Sequence, residues 1–143
     1  MGRVLALDYG RKRVGISISD ESKTIAQILV PPVVNNQNFF KEIGKIIERY
    51  EIEKVIIGLP ISLGSESSQM QKEVERFTST LRTRFSLPSE MVDERFTSVE
   101  AKKMLAAEGA GRAEQKVLKD NLSAQVLLQQ YLLAAKNNEK RKT

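Results

Sequence analysis

The sequence predicts a single α/β domain built on one mixed five-stranded sheet. Three apolar, strand-like runs lie close together at the N-terminus, joined by short turns. Two further short apolar runs each follow a stretch with helical periodicity. The order βββ-α-β-α-β-α-α combines an antiparallel meander with two βα units, which places helices against the sheet. At 143 residues, with 41% hydrophobic and 29% charged side chains, the chain fits one domain with one core.

The elements follow in order. Arg3–Asp8 is an apolar run, Val4 to Leu7, ending on a carboxylate. Tyr9 to Arg13 reads as a turn around Gly10. Val14–Ser19 alternates Val14, Ile16 and Ile18 with Gly15, Ser17 and Ser19, the pattern of a half-buried strand. Asp20 to Lys23 is a second turn. Thr24–Val30 is the third strand, stopped by Pro31 and Pro32.

Asn38 is a candidate cap for a helix whose face carries Phe39, Ile43, Ile46, Ile47 and Tyr50. Lys54–Gly58 is a buried parallel strand. Leu59–Ser68 reads as a Gly/Ser loop. Met70, Val74, Phe77, Leu81 and Phe85 form a second helical stripe, broken at Pro88. Glu90–Asp93 is the fifth strand. Thr97 to Glu100 fits a capping box for a third helix reaching Ala107. Ala110 to Arg112 punctuates, and a last helix spans Glu114 to Ala135. Residues 1–136 are therefore expected to form the domain, and residues 137–143 a polar, basic, frayed tail.

Composition restricts the chemistry. The chain has no Cys and no His. Disulfides, thiolate zinc sites, Ser-His-Asp triads and imidazole bases are excluded. Hydrolysis would have to run on carboxylates and hydroxyls, and carboxylates are hard ligands suited to Mg²⁺ or Mn²⁺. The net charge of +5 and pI near 9.5 favour a nucleic-acid partner. No apolar run reaches the roughly 20 residues of a membrane helix. With no signal peptide in the N-terminal residues, a cytoplasmic location and no membrane partner are expected.

Three acidic positions stand out. Asp8 closes an apolar strand, where a lone carboxylate is costly unless paired or metal-bound. Taken alone, it also reads as a strand-end acceptor for the Gly10 and Arg11 N–H groups. Asp93 and Glu94 follow the fifth strand, and alternation puts only one of them on a given face. Asp120 shares a helical stripe with Ala124, Leu127, Leu128, Tyr131 and Ala135, or serves as a helix-start acid favoured by the macrodipole. If the first, fourth and fifth strands are neighbours, Asp8, Gly58 and Asp93 end side by side at the carboxyl edge, where open α/β sheets bind ligands. Carboxylates converging there repel until cations neutralise them. Two divalent ions roughly 4 Å apart activate water and stabilise the leaving oxygen in phosphodiester cleavage. Arg11, Lys12 and Arg13 in the first turn, with Arg95, are candidate phosphate contacts. The loop after Gly58-Leu59-Pro60 could add N–H groups, and Lys136, Lys140, Arg141 and Lys142 could add salt-sensitive affinity.

These motifs together resemble the YqgF (RuvX) family. The resemblance rests on four blocks, in order along nearly the whole chain. They are Asp8-Tyr9-Gly10-Arg11-Lys12-Arg13-Val14-Gly15 through Asp20, Val55-Ile56-Ile57-Gly58-Leu59-Pro60, Asp93-Glu94-Arg95-Phe96-Thr97-Ser98-Val99-Glu100, and Lys119-Asp120-Asn121-Leu122-Ser123-Ala124. The strand pattern resembles the ribonuclease-H-like fold, which the family resemblance also implies. It further implies a bacterial, cytoplasmic endonuclease linked to 5′-end maturation of pre-16S ribosomal RNA, a family first read as Holliday junction resolvases. By that resemblance Asp8, Glu94 and Asp120 are the catalytic, metal-binding acids, with Asp93 the alternative to Glu94. Structured precursor rRNA and branched DNA are both open as substrates, as are the metal number, the cleavage position and the choice of monomer or dimer. A non-catalytic RNA-binding assembly factor is a further reading. Asp8-x-Gly10 also resembles the phosphate loop of actin-like ATPases and sugar kinases, but those need two such domains, and one is present here.

Overall fold

The structure is a computed structural model. It describes residues 2–59, 65–93, 103 and 119–142, without the side chains of 65–67, 119–120 and 140–142. The elements are β1 (Arg3–Asp8), β2 (Arg13–Ser19), β3 (Ala26–Gln27), β4 (Val33–Val34), α1 (Phe39–Arg49), β5 (Ile52–Leu59), α2 (Ser65–Phe85), β6 (Ser89–Asp93) and α3 (Lys119–Lys142). The sheet order is β3-β2-β1-β5-β6, with β4 also paired to β2. Strands β1 and β2 are antiparallel, while β1, β5 and β6 run parallel. This is the expected mixed sheet, with the first, fourth and fifth predicted strands adjacent.

Alternation divides the core into two layers. Leu5, Leu7, Ile16, Ile18 and Ile57 meet the α1 and α2 side chains Phe39, Ile43, Val74, Phe77 and Leu81. Val4, Ala6 and Ile56 meet Leu127, Leu128 and Leu132 of α3 on the other side. The Val14–Ser19 strand was expected to be half-buried. Its residues from Val14 to Ser19 are all buried, because α3 covers the Gly15/Ser17 side. Small residues on that side, Ala6, Gly15 and Ser17, let the helix approach closely.

The third strand is shorter than predicted. Only Ala26–Gln27 pairs with Ile18 and Ser19, and the chain returns at Val33–Val34 to pair with Val14 and Arg13. Between these points Pro31 and Pro32 cannot donate to a ladder. A side chain of α3 fills the gap instead. The Ile16 N–H donates to Asn121 Oδ1 at 2.6 Å, and Asn121 Nδ2 donates to the Val30 carbonyl at 2.7 Å. Gln125 and Gln129 continue the row at intervals of one helical turn. Gln125 Nε2 donates to the Ala26 carbonyl, the Ala26 N–H donates to Gln129 Oε1, and Gln129 Nε2 donates to the Thr24 carbonyl. Three buried carboxamides thus act as a substitute strand along the edge of β2 and β3.

Other boundaries differ by a few residues. Asn38 has αR dihedrals and makes no side-chain cap bond. Asn36 serves that end of α1, accepting the Asn38 N–H on its side chain and the Phe39 N–H on its carbonyl. Helix α2 begins at Ser65, inside the segment read as loop. Helix α3 runs to Lys142, so the tail expected to fray is helical through that residue, and Ala135 is exposed. Apart from Lys103, the predicted third helix lies outside the described residues, as do the 110–112 punctuation and residues 114–118.

The second turn has its own carboxylate. Asp20 Oδ1 accepts the Thr24 and Ile25 N–H groups at 2.8 and 3.1 Å. Burial alone would raise the Asp20 pKa, but these N–H bonds outweigh it and hold it below the usual carboxylate value. A depressed folded pKa contributes stability above the unfolded pKa, and that contribution disappears as pH falls through the folded value. Asp20→Ala is expected to cost about 1–2 kcal/mol at neutral pH. The difference from wild type should shrink as pH falls below the unfolded aspartate value of about 3.9 and through the lower folded value. Urea melts across pH 2.5–7 check both the cost and its sign.

Candidate active site at the carboxyl edge of the sheet

Asp8 is the last residue of β1. Its alternation with Val4 and Ala6 places it on the α3 side of the sheet, half-buried. Register matters more than burial here. Asp8 pairs with Gly15 on β2 and with Gly58 on β5. Both flanks of the carboxylate are therefore bare of side chains, although the Gly15 and Gly58 backbones are themselves buried. The motif blocks contain both glycines, but only the strand pairing reveals that they bracket Asp8.

Helix α3 starts at the same edge. The Asn121 carboxamide holds the Ile16 N–H, and Ile16 is the partner of Leu7, next to Asp8. Residue 120 lies in the first turn of α3, one residue before that anchor and one helical turn before buried Ala124. The helix then runs back across the sheet to Tyr131, whose hydroxyl accepts from Lys54 Nζ near the opposite end of β5.

Strand β6 ends at the same edge, beyond β5. Val92 pairs with Gly58 and faces the α3 layer, whereas Asp93 pairs with Leu59, which packs into the opposite layer. Asp93 thus takes the face away from Asp8. Glu94, Arg95 and the loop after Leu59 lie outside the described residues, as does the side chain of Asp120. Among the described residues, no group of three acidic side chains gathers to hold a metal.

The turn after Asp8 is tightly built. A Cβ on Gly10 would come 2.3 Å from the Arg13 carbonyl, so only glycine fits without backbone movement. Asn35 ties the turn to the end of β4, its N–H donating to the Lys12 carbonyl and its Nδ2 to the Gly10 carbonyl, both at 2.8 Å. Tyr9 stacks edge-on against Phe77 of α2 at 5.0 Å between ring centres. Burial raises the Tyr9 pKa; Asn35 partly offsets this, and the nearby Glu73 charge adds to it. Arg11, Lys12 and Arg13 are all exposed. Arg11 does not simply point into solvent. Its guanidinium makes a bidentate pair with Glu73 of α2, with Nη2 at 2.7 Å.

A mixed sheet led by an antiparallel hairpin, helices on both faces and an acid ending the central strand define a ribonuclease-H-like protein. A sequence profile of the RuvX family, described as a Holliday junction resolvase, matches residues 2–134. The chain belongs to the RuvX family. It is 41% identical over 135 residues to a Bacteroides thetaiotaomicron protein named "Putative pre-16S rRNA nuclease", covering 92% of this chain and 96% of that one. A Dictyoglomus turgidum protein of the same name is 37% identical over 131 residues, covering 91% and 93%. In structure, the chain is similar to T. thermophilus RuvC in complex with a Holliday junction substrate, with a TM-score of 0.58 at 14% identity, covering 94% and 96% of the two chains. At that identity the likeness speaks to fold alone.

Proposed function

We propose that this protein is a metal-dependent endonuclease that hydrolyses phosphodiester bonds of structured precursor rRNA at the 5′ end of 16S rRNA. The observation that carries the reading is Asp8, a carboxylate ending an apolar central strand between two glycines, beside the anchored first turn of α3. A carboxylate with cleared flanks suits a cation and a phosphate better than it suits a packing role. The names of the relatives support RNA as substrate, whereas the family description names a Holliday junction.

Asp8, Glu94 and Asp120 are the proposed metal-binding acids. The pairing of Asp93 with Leu59 takes it to the face away from Asp8, which counts against Asp93 and keeps Glu94 as the proposed ligand. The donor set is all oxygen, which fits Mg²⁺ or Mn²⁺, and two ions suit three acids. Bound there, such ions supply a hydroxide-like nucleophile at neutral pH and neutralise charge on the leaving oxygen. Arg11, Lys12, Arg13 and Arg95 are the proposed phosphate contacts, positioning the backbone without reading sequence. The absence of histidine is no obstacle to this chemistry.

The test is single-turnover cleavage by purified protein, with Mg²⁺ or Mn²⁺, of a precursor 16S rRNA fragment and of a four-way DNA junction. Cleavage of the RNA at a defined position, well above cleavage of the junction, is the expected result. Preferential junction cleavage by a dimer would establish the resolvase reading instead. Binding of RNA with no cleavage in any divalent ion would leave a non-catalytic assembly factor.

A further inference from the structure

We propose that Glu73 is a built-in counter-ion for the nucleic-acid-binding turn, holding Arg11 until a backbone phosphate takes its place. The proposal rests on the reading of that turn as a phosphate contact, and it adds a residue of α2 that this reading does not include.

The geometry is specific. Arg11 Nε lies 3.3 and 3.2 Å from the two Glu73 oxygens, and Nη2 lies 2.7 Å from Oε2. The Tyr9 hydroxyl donates to Glu73 Oε1 at 3.3 Å. Two residues of the segment that follows Asp8 are therefore directed onto one carboxylate of a helix 62 or more positions away. A guanidinium fork accepts a carboxylate and a phosphate in the same planar, bidentate manner. Glu73 thus occupies the kind of position that a phosphate would occupy on Arg11.

The surroundings favour exchange. The pair is solvent-accessible, with side-chain exposures of 57% for Arg11 and 31% for Glu73. Exposed ion pairs contribute little to stability, so releasing this one costs the fold little. The turn does not depend on it, because Asn35 and the β1–β2 ladder hold the backbone. Lys72 and Arg76 flank Glu73 on α2, are both exposed, and make no ion pair among the described residues. They keep Glu73 company after Arg11 leaves, and they present further positive charge to a polyanion. Hydrogen bonding from Arg11, aided by its charge and that of Arg76, holds the Glu73 carboxyl below its usual pKa, so the counter-ion is fully charged at neutral pH.

The consequence is a lower affinity for polyanions in general. A ligand must displace a carboxylate before it gains Arg11, which penalises weak, non-specific contacts more than a fully docked substrate.

The experiment measures binding of a fluorescein-labelled RNA hairpin and a labelled four-way DNA junction by anisotropy in EDTA, across a range of salt. Wild type, Glu73→Gln, Arg11→Ala and the double variant are compared, each with a thermal melt to show that it folds. Glu73→Gln is expected to bind about 3- to 10-fold more tightly at low salt. Because Arg11 meets a phosphate in both docked complexes, the number of phosphates neutralised is the same, and the gain should appear as tighter binding at fixed low salt. The double variant should bind no better than Arg11→Ala. Unchanged or weaker binding by Glu73→Gln, in a background where Arg11→Ala does weaken binding, overturns the proposal and makes Glu73 a positioning residue for Arg11. If Arg11→Ala has no effect on either probe, the phosphate role of the turn fails, and the counter-ion role fails with it.

Discussion

Asp8→Asn is expected to lower the single-turnover cleavage rate by about 10³-fold or more, while leaving the fold intact. Lewis-acid stabilisation by a bound cation is worth several kcal/mol in the transition state, and each 1.36 kcal/mol is a factor of ten. The substitution keeps the shape of the side chain but removes the formal charge that would hold the cation. Gly15 and Gly58 contribute no side chain on either flank, so no neighbouring donor replaces it. The melting temperature should stay the same or rise, because a half-buried carboxylate at the end of an apolar strand is no asset to an apo-protein. Cleavage retained within tenfold of wild type would remove Asp8 from the chemistry. Isothermal titration with Mn²⁺ gives an independent readout, since the variant should lose metal affinity even where no RNA is present.

The largest stability effect is expected at Asn121. Asn121→Leu leaves the buried Ile16 N–H and the part-buried Val30 carbonyl without their partner. Each such group costs about 1–3 kcal/mol, so the variant should lose about 3 kcal/mol and melt about 10 °C lower. Leucine keeps the branched four-atom skeleton of asparagine and is somewhat bulkier, so no cavity is left and the lost hydrogen bonds carry the effect. A loss under 1 kcal/mol would mean that water or a shifted strand satisfies both groups, and the substitute-strand account of α3 would be wrong. Because Asn121 anchors the first turn of α3, folded Asn121→Leu should also bind Mn²⁺ less tightly than wild type if Asp120 is a ligand.

Much of the fold could be read from apolar periodicity. Val4–Leu7 and Val55–Ile57 are short, branched and uninterrupted, and both are buried strands. The helical stripes of Phe39 to Tyr50 and Met70 to Phe85 fall where their spacing puts them, because both cover the same face of the sheet. The edge beyond β2 was not legible. Hydropathy assigns Asn121, Gln125 and Gln129 to a wet face, and nothing local marks them as partners for backbone groups a hundred positions earlier. The same blindness to long-range pairing hid Glu73. A surface glutamate on a helix is unremarkable until a turn 62 residues away is found holding it. At the candidate site, sequence singled out Asp8 because a charge at the end of an apolar run is conspicuous. It could not choose between Asp93 and Glu94, since that choice depends on which face Val92 takes.

The carboxamide row of α3 has a bearing on when this chain becomes a folded object. Synthesis proceeds from the N-terminus, so the β1–β2 hairpin emerges long before its margin can be finished. The residue that accepts the Ile16 N–H comes 105 positions later, and the one that accepts the Ala26 N–H comes 103 later. Contacts so distant along the polymer form slowly, because the entropy of closing the loop must be overcome first. A nascent polypeptide therefore carries Asp8 with its margin still hydrated and no lid over the Ala6 side. Helix α3, translated long after the hairpin, both completes the margin of β2 and β3 and carries residue 120, so a product truncated before it lacks a finished sheet edge.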